Sequence, residues 1–218
     1  KVSSYQDEMS ALSSLYAEIA RCQQCEIAKL RTHTVPGEGT ENAEILFIGE
    51  APGFHEDRQG RPFVGAAGQF LDHLLASINL KREQVYIANI IKCRPPENRD
   101  PLPSEISNCN GWLDKQIELI APKMIVTLGR YSMAKFFPGK TISNIHGTSQ
   151  TKDNVIYFAM YHPAAALHQG GLRKVIESDM QKIPLVLAQA KAAVNPVVAP
   201  VVNPEPPPEL RQLNMFEV

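Results

Sequence analysis

Three polar side chains in this sequence stand where chemistry could be done. Glu50 directly follows the largely apolar run Ile45 to Gly49 and precedes the turn Ala51-Pro52-Gly53. Asn89 is the one polar residue inside the apolar stretch Val85 to Ile91. His162 closes another apolar run, Val155 to Met160, and is followed by Pro163. An apolar run that ends in a polar group is how a buried strand delivers chemistry to the carboxyl edge of an open sheet. There a carboxylate can orient a water or face a developing cation, an amide offers both donor and acceptor, and an imidazole can donate to an oxygen that gains charge. Phe63, in a Gly-Arg-Pro-Phe corner, adds an aromatic plane, and the small residues Gly49, Ala51 and Gly53 leave backbone N–H groups uncovered. Carboxylate, bare amides and ring together suit a flat heterocycle that is stacked and hydrogen-bonded at its edge. Glu56 and Asp57, an acidic pair between turn and corner, are second carboxylates for the same duty. Each residue also has a plain structural use: Glu50 could cap a turn, and Asn89 could satisfy a neighbouring loop. GEAPG lacks the GxGxxG spacing, and no GK[ST] follows, so it is neither a dinucleotide fingerprint nor a phosphate loop.

A second constellation uses every cysteine of the chain. Cys22 and Cys25 form C-x2-C, and after a long gap Cys93 and Cys109 form C-x15-C. Four cysteines are too few for a disulfide scaffold in a chain of 218 residues. Four thiolates can surround one zinc ion or one iron–sulfur cluster, and the spacing does not choose between them or exclude ordinary buried thiols.

Composition narrows the rest. Hydrophobic residues at 44% and charged ones at 21% are globular values, so a packed core is expected. The formal charge is −1; residues 194–218 hold three Glu against one Arg, which leaves +1 on residues 1–193. Any nucleic-acid surface must therefore be local rather than a bulk basic field. No apolar run approaches the roughly eighteen residues that cross a membrane, and the amphipathic N-terminus lacks a signal peptide's apolar core. The expectation is a soluble, cytoplasmic monomer without membrane contact.

The elements that must position these residues alternate. Ser3 or Ser4 is expected to cap a first helix with Met9, Leu12, Leu15, Tyr16 and Ile19 turned inward, ending near the C-x2-C pair. Residues 31–43 read as a loop into the strand that ends at Gly49. Gly65 to Ile78 reads as a helix, Val85 to Ile91 as a strand, and Lys92 to Pro103 as a proline-broken loop. Ser104 is expected to cap a long helix to about Ile120. Lys123 to Leu128 reads as a third strand, Arg130 to Phe137 as a short helix, and Pro138 to Gly147 as a loop. After the fourth strand, Val155 to Met160, a last helix follows Gly170-Gly171 to about Ala193, kinked near Pro184. Strands alternating with helices imply an α/β fold: a four-stranded, mostly parallel sheet sandwiched between helices.

From residue 194 the texture changes. Six prolines between 195 and 209, without periodicity, predict an extended tether over 194–211. The apolar end Gln212-Leu213-Asn214-Met215-Phe216 either folds back on the domain of residues 1–193 or is a short linear motif on a leash.

Three separated motifs, GEAPGFHEDRQGRPFVGAAGQ, NIIKCRPPENRDP and YHPAAAL, with the cysteine frame around them in order, resemble the family 4 uracil-DNA glycosylases, the iron–sulfur type. The likeness covers roughly residues 15–183. It implies a three-layer fold and a base-excision activity on uracil-containing DNA. It implies a structural [4Fe-4S] cluster on Cys22, Cys25, Cys93 and Cys109. It also implies a role for each motif residue. Phe63 would stack on an extruded uracil, Asn89 would read its polar edge, the backbone at Gly49, Glu50 and Ala51 would contact the base, and His162 would bond the carbonyl oxygen that gains charge. Glu50 is then the carboxylate near the sugar, with Glu56 and Asp57 as second choices, and Leu167 the candidate wedge that fills the gap left by the base.

Two departures stand out. Where the family commonly has a basic residue before a glycine, this chain has His146 before Gly147, which would make a phosphate contact there dependent on pH. A related branch traps its product through a His in an Arg-Arg-Ile-His insertion after the Asn strand, and none follows Asn89, so free turnover without a lyase step is expected. The tail separately resembles the QLxLF-type peptide of bacterial proteins that hold the sliding clamp, with Gln212, Leu213, Met215 and Phe216 at the matching positions. The rival readings are a cluster-bearing DNA-binding protein without catalysis and a cluster-bearing electron carrier. The joint presence of Glu50, Asn89 and His162 speaks against the first, and the second needs redox partners and a potential that a sequence does not report.

Overall fold

Ile45–Gly49 and Met124–Leu128 have no charged residue and are buried at every position, so each needs cover on both faces, and that requirement shapes the whole molecule. The computed structural model describes residues 10–194. Its helices are α1 (Ala11–Ala20), α2 (Phe54–Gln59), α3 (Ala66–Ser77), α4 (Pro103–Ile120), α5 (Arg130–Phe136), α6 (Ile142–Ile145), α7 (Pro163–His168) and α8 (Gly171–Val194). Its strands are β1 (Glu38–Gly39), β2 (Ile45–Gly49), β3 (Tyr86–Asn89), β4 (Met124–Leu128), β5 (Ser149–Lys152) and β6 (Val155–Met160). They form one sheet in the order β1-β3-β2-β4-β6-β5. The four inner strands are parallel, and β1 and β5 pair antiparallel at the two edges.

Alternate residues of the inner strands serve opposite faces. Phe47, Ile87 and Val126 pack with Leu71 and Leu74 of α3 and Met180 of α8. Leu46, Ile48, Tyr86 and Ile125 pack with Leu15 and Ile19 of α1 and Leu113 of α4. Each fully buried aliphatic or aromatic side chain of this kind contributes about 1.5–3 kcal/mol, and the two layers together hold the inner strand ends in fixed register.

The α/β sandwich is as expected from the sequence, with six strands in place of four. The two additional strands are edges: β1 has two residues, and β5 is exposed along its whole length, so neither carries apolar alternation. The β5–β6 hairpin turns on Asp153 and Asn154, both with positive φ (51° and 62°), the backbone of a two-residue primed turn. Other boundaries also shift. Ser10 caps α1 by accepting from the Ser13 N–H at 3.1 Å, in place of Ser3 or Ser4, which with Met9 lie outside the described residues. Leu102, not Ser104, is the N-cap of α4, with Pro103 at the first helical position and Glu105 accepting from the Leu102 N–H at 2.8 Å. The stretches read as turns and loops contain α2, α6 and α7, all too short for an apolar period to show. Among the described residues no helix is long and apolar enough to cross a membrane. Val194, the first residue of the expected tether (194–211), closes α8; the rest of the tether and the expected peptide Gln212, Leu213, Met215 and Phe216 lie outside the described residues.

Candidate active site

Parallel strands bring their carboxyl ends to one edge of the sheet. β2 receives β3 on one side and β4 on the other, the point at which an α/β sheet opens a crevice. A cleft of about 390 Å³ lies there, lined by Glu50, Glu56, Phe63, Asn89 and His162 among others. Ala51 lines it too. Glu50 and His162 do not follow adjacent strands: β4 lies between β2 and β6, so the two flank its end.

Gly49 forms the floor. A Cβ at this position would overlap both Asn89 Oδ1 and the Phe63 ring, so the closeness of amide and ring depends on the missing side chain. Asn89 is 2% exposed, and its Oδ1 has no hydrogen-bond partner. Leaving such an atom buried and unpaired costs about 1–3 kcal/mol, which a ligand donor would restore. The Phe63 ring lies 5.5 Å from the His162 ring, 25° from parallel.

Phe63 is held in an unusual backbone state, φ 52°, by groups distant in sequence. Arg82 donates to the Pro62 carbonyl at 2.7 Å and to the Phe63 carbonyl at 3.1 Å. Glu56 Oε1 accepts from the Val64 and Gly65 N–H groups, each at 2.9 Å, where α3 begins. A Cβ on Gly68 would overlap the Phe63 carbonyl, so α3 can approach this turn only with glycine there. The sequence carries a signal for this set, the glycines spaced through GRPFVGAAGQ, but nothing marks Arg82 as their partner.

The two candidate catalytic groups are shifted in opposite senses. Burial, reinforced by Asp100 and opposed by Arg130, raises Glu50 to about 7. Burial lowers His162 to about 4, against the pull of Glu56, so its ring is neutral near pH 7. His162 Nδ1 accepts from the Ala164 N–H at 3.1 Å, which leaves the ring proton on Nε2 as a donor. Asp100 itself pairs with Arg130. Neither residue stood out in the sequence, because both matter only through their position beside Glu50.

Asp57 lies elsewhere. It is buried one residue beyond Glu56 and accepts from the Thr32 N–H at 2.9 and 3.1 Å, so it anchors the loop before β1 and does not line the cleft. Leu167 is 50% exposed on α7, next to His168, which lines the cleft. His146 does not stand free: its Nδ1 is 2.7 Å from Asp179 Oδ2.

The four cysteines meet on the α1/α4 side of the sheet. Cys22, Cys25, Cys93 and Cys109 line one small cavity with Arg31, Lys92 and Trp112. Arg31 donates to Cys93 Sγ at 3.2 Å, and the Lys92 N–H donates to Cys109 Sγ at 3.3 Å. The Trp112 indole N–H is buried without a partner. Among the described residues no three His, Cys, Asp or Glu are grouped to hold a single metal ion. Four thiols around a common gap, two N–H···S contacts and an unpaired N–H donor are a donor set that suits a group larger than one ion.

The profile of the uracil DNA glycosylase superfamily matches residues 36–181. A type-4 uracil-DNA glycosylase of Sulfurisphaera tokodaii is 46% identical over 185 residues, covering 80% of this chain and 84% of the relative. That of Archaeoglobus fulgidus is 47% identical over 184 residues, 80% of this chain and 92% of the relative. That of Thermotoga maritima is 39% identical over 173 residues, 75% and 88%. On the span of that match and these identities, this chain belongs to the uracil-DNA glycosylase superfamily, in its type-4 branch.

Proposed function

We propose that the chain removes uracil from DNA by hydrolysing the bond between base and sugar, leaving an abasic site for base excision repair. The observation that carries this reading is the buried, unpartnered Asn89 Oδ1 at the floor of a cleft walled by Phe63, Glu50 and His162. Uracil presents an N–H donor beside a carbonyl acceptor; the amide oxygen accepts from the first and the amide nitrogen donates to the second. Cytosine offers the reverse pattern and is refused. A base within a duplex cannot reach such a floor, so the nucleotide is extruded at a cost of roughly a few kcal/mol. Stacking on Phe63 and the edge bonds to Asn89 offset that cost.

As the N-glycosidic bond ionises, the bonding pair leaves with uracil and the sugar becomes cationic. The His162 Nε2–H donates to the uracil oxygen that gains this charge. The Glu50 carboxylate stabilises the sugar cation and orients the water that adds to it, and the departing base takes up the proton. No lysine is among the residues that line the cleft, so no amine is at hand for a covalent sugar adduct, and the reaction ends at the abasic site.

Cys22, Cys25, Cys93 and Cys109 would hold a [4Fe-4S] cluster. When bound it supplies a crosslink between the end of α1, the loop after β3 and α4, and it takes no part in the steps above. Residues 1–193 would then be the catalytic unit, 194–211 a tether, and Gln212, Leu213, Met215 and Phe216 a peptide for a bacterial sliding clamp. The last point is tested by fluorescence anisotropy of a peptide spanning 209–218 with purified clamp; binding that survives Phe216→Ala rejects it.

The function is tested by incubating the holoprotein with single-stranded oligonucleotides that carry one uracil, thymine or cytosine. Release of uracil alone is expected. Equal release from the thymine or cytosine strand, or none from the uracil strand, rejects the reading.

A further inference from the structure

Phe54 is 48% exposed and is the only Phe, Tyr or Trp among the described residues that falls in the exposed class. Core packing does not account for it, since the buried residue of α2 is Asp57. It follows Gly53, and Arg94, which lies over its ring, precedes Pro95; Gly53 and Pro95 both line the cleft, so Phe54 stands next to the cleft lining without being part of it. Two arginines converge on it: the guanidinium carbon of Arg94 lies 5.2 Å from the ring centroid and that of Arg58 5.9 Å. Arg94 comes from the loop after β3 and also donates to Asn98 Oδ1 at 2.6 Å, and Asn98 lines the cleft as well.

Charge distinguishes these arginines from others at the same rim. Arg99 is paired with Glu105 and Arg130 with Asp100. Among the described residues neither Arg58 nor Arg94 pairs with a carboxylate. An exposed aromatic plane with two uncompensated guanidinium groups, one side chain away from a base-sized cleft, has the makeup of a surface that stacks bases and tracks phosphates.

We propose that Phe54, Arg58 and Arg94 form a second nucleotide subsite, in which the base adjacent to the extruded uracil stacks on Phe54 and its flanking phosphates take the two guanidinium groups. This rests on the reading of the chain as a uracil-DNA glycosylase. Leu167, exposed on α7 beside the cleft-lining His168, is a second apolar side chain next to the cleft. The subsite favours single-stranded or locally opened DNA, whose neighbouring base is not held in a duplex stack.

The test uses the holoprotein and single-stranded oligonucleotides carrying a non-hydrolysable 2′-fluorinated deoxyuridine, with the neighbouring nucleotide on its 5′ or 3′ side intact or replaced by an abasic linker. Binding is read by anisotropy. Phe54→Ala is expected to weaken binding about five- to tenfold, the scale of one lost base–aromatic stack, and Phe54→Trp to retain it. An abasic neighbour on one side should cost the wild type a similar factor and cost Phe54→Ala almost nothing further. Arg58→Ala and Arg94→Ala should each flatten the dependence of log affinity on log salt by roughly 0.7. Unchanged binding by Phe54→Ala overturns the proposal, as does an abasic cost that simply adds to that of Phe54→Ala at both positions. Failure of the wild type to release uracil would sink the parent reading as well. Normal release, with Phe54 indifferent to its neighbour, would sink the subsite alone.

Discussion

Asn89 closes β3 and Cys93 lies four residues further on, in the loop that follows, yet they belong to regions built in opposite ways. Around the cleft, groups are kept short of partners or away from their usual state. Asn89 Oδ1 is buried and unpaired, Glu50 is raised, His162 is lowered, and Phe63 sits at positive φ. Around the cysteines nearly every group is provided for. Arg31 donates to Cys93 Sγ and to the carbonyls of Ala20 and Cys22, and Lys92, 1% exposed, donates through Nζ to the Asn89 carbonyl and to Gln116. Only the Trp112 indole N–H is left over. The difference teaches what each region is for. A site whose ligand comes and goes keeps strained or unpaired groups for the ligand to relieve, whereas a site built for a permanent occupant has the groups around it partnered and draws its stability from that occupant.

The largest effects should separate the two regions cleanly. Asn89→Ala and His162→Ala remove one hydrogen-bonding group each from the transition state, and each is expected to slow uracil release by about 10²–10³-fold. Their melting temperatures should stay close to wild type or rise, since Asn89→Ala also removes a buried unpaired atom. Release within a few-fold of wild type by either variant would break the assignment of the cleft.

Cys93→Ser is expected to do the reverse. With the proposed cluster bound in the wild type, the variant should lack its broad brown absorbance and melt about 10 °C or more lower, because binding energy at such a site is folding energy. Release per folded molecule should remain within about threefold. Lys92 touches both regions, with its N–H on Cys109 Sγ and its Nζ on the Asn89 carbonyl. A Cys93→Ser protein that melts normally but cannot distinguish uracil from cytosine would show that the regions are coupled through Lys92 and not separable.

This contrast also explains what the sequence disclosed. The inner strands could be read because burial on both faces leaves unbroken apolar runs, and Asn89 because it interrupts one. The cysteines were marked by type and spacing. Edge strand β5 and the short helices α2 and α7 could not be read, since exposure or brevity removes the pattern. The supports of Phe63 were hidden for a different reason. Arg82 lies 19 residues from Phe63, and its donation to that carbonyl is a tertiary contact with no local trace. The same holds for the shift of Glu50, which burial raises and on which Asp100, from the loop before α4, and Arg130, the first residue of α5, act in opposite senses.

A smaller effect follows from that shift. With Glu50 raised to about 7, release should climb with pH through about 7 to a plateau, since the carboxylate form does the work and His162, lowered to about 4, is already neutral. Stability should run the other way. The unfolded chain loses the Glu50 proton near the usual 4.5, before the folded chain does, so this group lowers stability as pH rises from 4.5 to about 7. Glu50→Gln should therefore flatten the pH profile at a much reduced rate. It should also stabilise the fold at pH 8 by on the order of 1–2 kcal/mol, after allowance for solvent screening, with little change at pH 4. A profile still rising through 7 in Glu50→Gln would move the titrating group elsewhere.

The finest version of the comparison is contained in two adjacent carboxylates on α2. Glu56 turns to the cleft, where its Oε1 fixes the N–H groups of Val64 and Gly65 and so the tilt of Phe63. Asp57 turns away and fixes the N–H of Thr32 on the loop that also carries Thr34, a residue of the cysteine cavity. Glu56→Gln keeps an acceptor but weakens the charge-assisted pair, so release should fall about fivefold with the melting temperature nearly unchanged. Asp57→Asn should leave release alone and lower stability by about 1–3 kcal/mol, because it weakens a buried anchor. Urea titration beside single-turnover release measures both. A strong loss of release in Asp57→Asn at unchanged stability would place Asp57 in the chemistry and erase the boundary that α2 draws between the two regions.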